Sequence, residues 1–198
     1  KKMLSYKESL KILKETNALL EGHFILSSGL HSKQYVQCAK LLSFPNKAEI
    51  ICESLAKKIN QSFKKIDIVL SPAVGGIVVG YEIGRQLSAK TIFAERVNGK
   101  FVLRRGFDIP LNSNVLIVED VITTGKSALE CSKIINEYNS NLIGYACIID
   151  RSNSEKLIKE KIISQLKFEI LTYEENDLPD DLKKIPSYKP GSRNLNKW

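Results

Sequence analysis

Apolar and polar positions alternate with different periods along this chain, and the changes of period mark its elements. Over residues 4–20, Tyr6, Leu10 and Leu13 fall on one face with Lys and Glu between them, which predicts an amphipathic helix. Phe24-Ile25-Leu26 and Tyr35-Val36 read as short strands around a Ser27-Ser28-Gly29 turn. Pro45 then opens a second helix with Ile50, Ile51, Leu55, Ile59 and Phe63 as its apolar face. From residue 66 the pattern is more regular. Strands are predicted over 66–70, 91–95, 115–118, 142–149 and 168–171, and helices over 77–87, 126–138 and 154–163. Residues 71–76 form a loop, and 96–107 read as a hairpin or mobile loop around Asn98-Gly99. Continuous apolar strands separated by helices predict an α/β fold, with a mostly parallel central sheet and helices on both faces. The segment from Glu174 onward, rich in Pro and charge, is expected to be irregular.

Length and composition fit this picture: 198 residues, 43% hydrophobic and 26% charged, make one domain with a core of its own and exclude disordered and fibrous classes. Thirty basic against 22 acidic residues give +8, which favours anionic partners in general. No run of five basic residues occurs, so the lysines read as a solvated surface, and no nucleic-acid partner is expected. The six arginines, Arg85, Arg96, Arg104, Arg105, Arg151 and Arg193, are the more informative cations. Cys38, Cys52, Cys131 and Cys147 form no Cys-x-x-Cys pair and read as reduced, mostly buried thiols. His31 reads as a surface or loop residue. Residues 1–8 have no apolar core, and the longest apolar-looking run, 68–81, is short and broken by Pro72 and glycines. A cytoplasmic location without membrane contact is expected.

The sharpest chemical signal is Val115-Leu116-Ile117-Val118-Glu119-Asp120-Val121-Ile122-Thr123-Thr124-Gly125-Lys126-Ser127. A buried strand ends in two adjacent carboxylates, and a Thr/Gly/Ser loop leads into a helix. Ligands of open α/β sheets bind outside the carboxyl ends of strands. A helix N-terminus with free N–H groups, hydroxyls and a Lys makes an anion cradle, and Gly125 lets the backbone wrap a phosphate. Carboxylates facing that cradle would repel the anion, so they must meet hydroxyls or a cation elsewhere on the ligand. A phosphorylated sugar meets both demands. Gly125-Lys126-Ser127 also matches the end of a nucleotide P-loop, but Asp120 stands where its first glycine belongs, which rejects that reading. A buried strand followed by a helix capped by Thr123 or Thr124 would explain one Thr and leave the acid pair unexplained.

Over all thirteen positions this segment resembles the fingerprint of the type I phosphoribosyltransferase family. The resemblance implies that Glu119 and Asp120 hold the ribose hydroxyls of phosphoribosyl pyrophosphate, and that Val121, Ile122, Thr123, Thr124, Gly125, Lys126 and Ser127 hold its 5-phosphate. Ser71-Pro72-Ala73-Val74-Gly75-Gly76 is similar to the family's pyrophosphate loop, with Val74 and Gly75 at the donor and a cis bond expected between Ala73 and Val74. A Gly-rich strand-to-helix turn is the plain alternative.

Phe24 to Gly29 with Ser32 and Tyr35 resembles the N-terminal hood of the orotate-using members. Ala94 to Lys100, Leu103 to Phe107, Asp150-Arg151 and Lys189-Pro190-Gly191-Ser192 are similar to that subfamily too. A hood over 1–45 and a mobile loop over 96–107 within one domain are implied. Orotate is planar and carries a carboxylate, so one Arg making two parallel N–H contacts suits it; Arg151 fits, with Thr123, Ser28, Gly29 and Tyr35 completing the acceptor site. Pairing of Arg151 with Asp150 or Glu155, and Tyr35 as a core residue, are the plain alternatives. Ser27 and Gly75 stand where many members carry Lys. Arg104 and Arg105 alternate along an expected strand, so at most one faces the site.

The resemblance implies Mg2+-dependent transfer of the phosphoribosyl group to orotate, giving orotidine 5-phosphate and pyrophosphate in pyrimidine synthesis. Lys100, Arg96 and Asp120 carry the catalytic work, and Mg2+ is held mainly by the donor rather than by protein ligands. A homodimer sharing the 96–107 loop is also implied. Transfer to another base, or a non-enzymatic regulator that senses the same donor, are the competing readings.

Overall fold

The computed structural model describes residues 2–26, 28–153 and 156–190. Helix α1 (Tyr6–Glu15) begins where the Ser5 hydroxyl accepts from the Glu8 amide and the Glu8 carboxylate accepts from the Ser5 amide, a reciprocal cap. It is shorter than the predicted 4–20. Asn17, at a left-handed φ of 54°, ends it, and Leu19 and Leu20 pass into a strand. Its buried face is Ser9, Ile12 and Leu13, while Tyr6 is exposed. Strands β1 (Leu19–Ile25) and β2 (His31–Val36) pair antiparallel. His31 is buried against His23 rather than lying on the surface.

After α2 (Cys38–Leu42), α3 (Pro45–Ser62) carries Pro45 in its first turn. Ile51, Leu55 and Ile59 point inward, and Ile50, one step off that stripe, is exposed. Then follow β3 (Ile68–Pro72), α4 (Gly75–Leu87), β4 (Lys90–Val97), β5 (Lys100–Leu103), β6 (Asn114–Ile122), α5 (Lys126–Glu137), β7 (Asn141–Asp150) and β8 (Ile162–Lys167). These strands form one sheet in the order β5-β4-β3-β6-β7-β8, parallel throughout except for β5. One face buries Val69, Leu116, Val118 and Ala146 against α1, α3 and α4. The other buries Leu70, Ile117, Tyr145 and Cys147 against α5. All four cysteines are buried and unbridged.

The predicted helix over 154–163 is not formed. Ser154 and Glu155 lie outside the described residues; beyond them the Leu157 amide donates to the Thr124 carbonyl at 2.8 Å and Ile158 is fully buried. Those backbone and side-chain commitments to the loop after β6 are incompatible with a helix, and the sheet strand starts at Ile162, earlier than the predicted 168. Residues 168–171 instead lead to β9 (Thr172–Tyr173), which adds to β2. The segment from Glu174 is more regular than expected. A 3-10 turn (Glu175–Asp177) and α6 (Asp180–Lys183) bring Leu182 into the interior, and Tyr188 forms an isolated bridge with Phe24.

The sheet grows outward in both directions from the neighbours β3 and β6. Their following segments diverge, which opens a crevice at the carboxyl ends of the two strands.

Candidate active site

The turn from β6 into α5 is built as the motif anticipates. Gly125 precedes the helix at φ 78°, a left-handed backbone that disfavours side chains, and a methyl group there would lie 2.6 Å from Ile158 Cδ1. The Leu157 tether and this contact hold the turn in shape. Glu119 and residues 121–127 enclose a cavity of about 70 Å3 at the start of α5, where first-turn amides point outward. Eight of the predicted donor-binding residues, Glu119, Val121, Ile122, Thr123, Thr124, Gly125, Lys126 and Ser127, line it; Asp120, Val74, Gly75, Arg96 and Lys100 do not.

The two carboxylates part company, because neighbours on a strand face opposite sides of the sheet. Glu119 lies on the α5 side; its Oε1 is buried without a hydrogen-bond partner, and burial, then the charge of Asp120, pushes its pKa up to about 8. Asp120 lies toward α4. A methyl group on Gly75 would sit 3.2 Å from its Oδ1, so any side chain at 75 would press on this carboxylate. Burial raises the Asp120 pKa, against the opposing effect of the hydrogen bond that Oδ1 accepts from the Val121 amide at 2.9 Å. Among the described residues no three His, Cys, Asp or Glu side chains converge to hold a metal ion.

The Ala73-Val74 peptide is cis, as the resemblance implies. The loop is fixed at its start by the Ala73 amide donating to the Ala94 carbonyl at 2.8 Å, and Val74 and Gly75 are exposed at the head of α4. Residues 94–103 form a hairpin whose two-residue turn, Asn98 (φ 49°) and Gly99 (φ 81°), has the positive angles that match strand twist. Arg96 is not aimed into the phosphate cavity. It donates to Glu130 Oε2 at 2.6 Å and to the Gly99 carbonyl, and lies 4.1 Å from the Phe101 ring centre. Lys100 lines a groove of about 320 Å3 between β5 and α5 with Phe101, Glu130, Lys133 and Glu137. Arg104 and Arg105 follow the end of β5 instead of alternating along it; Arg105, at φ 60°, forms a two-pronged pair with Glu95.

At the end of β7 the Arg151 amide donates to the Ile122 carbonyl at 2.8 Å, which sets Arg151 beside Thr123. Its Nε is buried without a partner, and burial lowers its pKa, with Cys38 and Tyr35 as electrostatic neighbours. Asp150 is engaged by Lys167 at 3.4 Å and by the Ser152 amide, so it is not the partner of Arg151; Glu155 lies outside the described residues. Tyr35 is half-buried, its ring 5.7 Å from that of Phe24 and its hydroxyl donating to Gln37. Ser28 and Gly29 form the exposed turn between β1 and β2; Ser27, Gly191 and Ser192 lie outside the described residues. Sequence alone does not single out Cys38, whose thiol donates to the Asp120 carbonyl, Glu130 or Tyr188; Lys189-Pro190 beside Tyr188 is the nearest signal. A larger cavity of about 410 Å3, lined by Glu21, Lys33, Glu169, Tyr173 and Asp181 among others, contains none of the candidate residues.

A turn of exposed amides and hydroxyls at the sheet's switch point, a cis-containing loop and the β1-β2-β9 sheet match a phosphoribosyltransferase architecture. Residues 44–179 match the model of the phosphoribosyl transferase domain, and the chain belongs to that family. Curated relatives include orotate phosphoribosyltransferases. That of Caldicellulosiruptor bescii is 47% identical over 184 residues, 93% of this chain and 96% of the relative. That of Methylorubrum extorquens is 47% identical over 191 residues, 96% of this chain and 97% of the relative. In fold the chain is similar to the crystal structure of orotate phosphoribosyltransferase from Aeropyrum pernix, with TM-score 0.68 and 22% identity over 79% of this chain and 92% of that one.

Proposed function

We propose that this chain is an orotate phosphoribosyltransferase, joining orotate to the phosphoribosyl group of its pyrophosphate donor in pyrimidine synthesis. The observation that carries the choice of acceptor is Arg151. A guanidinium with a buried, unpartnered Nε at the end of β7, one residue step from the phosphate turn, calls for a planar anion. A neutral purine would leave it uncompensated.

In this reading the amides and hydroxyls of residues 123–127 grip the 5-phosphate. Glu119, protonated at neutral pH, and Asp120 meet the ribose hydroxyls as donor and acceptor. Val74 and Gly75 present backbone amides to the pyrophosphate. Arg151 and Thr123 orient orotate so that its ring nitrogen meets the anomeric carbon, with Ser28, Gly29 and Tyr35 at the rim. Positive charge develops on the sugar and negative charge on departing pyrophosphate, and the chain's contribution is fixed charges placed for that moment. Arg96 and Lys100 supply the cations when the hairpin leaves α5, and its closure keeps water from the sugar.

Mg2+ fits the same donor set. Most of its coordination would come from pyrophosphate and ribose oxygens, with Glu119 and Asp120 beside it, and when bound it would neutralise charge on the leaving group.

A homodimer belongs to this reading. Val74, Val78 and Tyr81 make an apolar stripe on α4, exposed by 82%, 53% and 66%, and it begins at the pyrophosphate loop. A second copy covering it would bring its hairpin close to this donor site. Four buried, unbridged thiols suit a reducing cytoplasm.

The test is the loss of orotate absorbance when donor and Mg2+ are added to the full chain, with adenine, hypoxanthine and uracil as controls. Orotate alone should be consumed. Consumption of a purine with orotate untouched would replace the acceptor assignment.

A further inference from the structure

We infer that the segment around Tyr188 completes the acceptor site. Tyr188, Phe24 and Tyr35 form one aromatic face beside Arg151, against which the planar base lies, and Tyr188 helps to set which base is accepted. This rests on the orotate reading above.

The segment runs alongside β1 and joins it through one bridge. The Tyr188 amide donates to the His23 carbonyl and the Ile25 amide donates to the Tyr188 carbonyl, both at 2.8 Å, so Tyr188 bridges Phe24 on the free edge of β1. Residues bridged in this way carry their side chains on the same face of a sheet. The Phe24 ring in turn meets that of Tyr35 at 5.7 Å and 34°, so the three rings share a side. Tyr35 lies within electrostatic reach of both the Tyr188 phenol and Arg151, so the aromatic group and the guanidinium are neighbours.

The segment is also anchored independently of any ligand. Leu182 is buried, and His23 Nδ1 donates to the Ile185 carbonyl at 2.8 Å, while its Nε2 meets His31 Nδ1 at 2.6 Å. With its backbone fixed at both sides, Tyr188 still leaves 54% of its surface to solvent. The Tyr35 hydroxyl is taken by Gln37, whereas no partner of the Tyr188 hydroxyl is found among the described residues. An open ring face whose phenol has no partner among the described residues, near a guanidinium whose buried Nε has none, suits a flat heterocycle bearing a carboxylate and ring carbonyls. The ring would stack on the tyrosine, and a carbonyl would accept from its hydroxyl.

The experiment is steady-state kinetics with orotate and donor, together with thermal midpoints, on the full chain carrying Tyr188→Ala or Tyr188→Phe. Tyr188→Ala should raise KM for orotate about tenfold or more, as expected when alanine replaces an aromatic ring that stacks on a base. KM for the donor should change less than about twofold. Tyr188→Phe should recover most of the loss, since the stacking ring is kept and only the hydrogen bond to a ring carbonyl is missing. Unchanged orotate KM in Tyr188→Ala overturns the inference. So does a parallel rise of both KM values with a lower thermal midpoint, which would make the segment a structural brace only. A wild-type chain that fails to consume orotate instead overturns the acceptor assignment, so the two failures are distinct.

Discussion

Glu119 shows how one residue can be legible in kind and illegible in state. Its place at the end of an apolar strand is plain in the sequence; that burial lifts its pKa to about 8 from the ordinary 4.5 is not, because that depends on α5 packing over it. The folded chain holds this proton more tightly than the unfolded chain. The contribution to stability is therefore fully present below about 4.5 and is lost as pH rises through about 8. Urea midpoints should fall between pH 5 and pH 9, and Glu119→Gln should flatten that fall; a variant with the wild-type slope would remove Glu119 as its source. Arg151 is open to two readings in sequence, as one member of an ion pair with Asp150 or Glu155 or as an anion site; the engagement of Asp150 by Lys167 disfavours Asp150 as its partner, and Glu155 lies outside the described residues. His31 misleads because a lone histidine beside a Ser-Ser-Gly turn carries no mark of the buried ring it meets eight positions back.

Among the elements, the 94–103 hairpin is the one whose state matters most for catalysis. Asn98-Gly99 announces the turn, but not that Arg96 rests on Glu130, since that pair joins two elements 34 residues apart in sequence. An exposed ion pair is worth at most about 1 kcal/mol. If Glu130 competes with pyrophosphate for Arg96, Glu130→Gln should tighten calorimetric donor affinity by up to about fivefold with little change in thermal midpoint. Weaker or unchanged affinity would show that the pair does not restrain the hairpin. The helix expected over 154–163 fails for a related reason. Ile158 has helical spacing from Ile162, yet it is spent on Gly125 and the phosphate turn, a long-range commitment that local periodicity cannot reveal. The central strands are legible because they are buried on both faces and read as unbroken apolar runs.

For the whole molecule, the sequence conveys the α/β alternation and the strand-to-helix turn after β6, but not the late strand β9 and the Tyr188 bridge, whose partners lie near the other end of the chain. The apolar stripe on α4 is hidden in sequence because exposed Val78 and Tyr81 stand among buried Val79 and Ile83 of the same helix. If a second copy covers it, Tyr81→Glu should shift the sedimentation mass from dimer toward monomer at micromolar concentration and reduce turnover with it. A variant that stays dimeric would place the interface elsewhere. The join between β3 and β6 has a wider consequence. Ile68 pairs with Val115 although α4 and the 94–103 hairpin lie between them in the chain, so the crevice exists only where β3 and β6 have come together. Titration with the sugar donor thus doubles as a census, counting finished molecules and passing over every incomplete one.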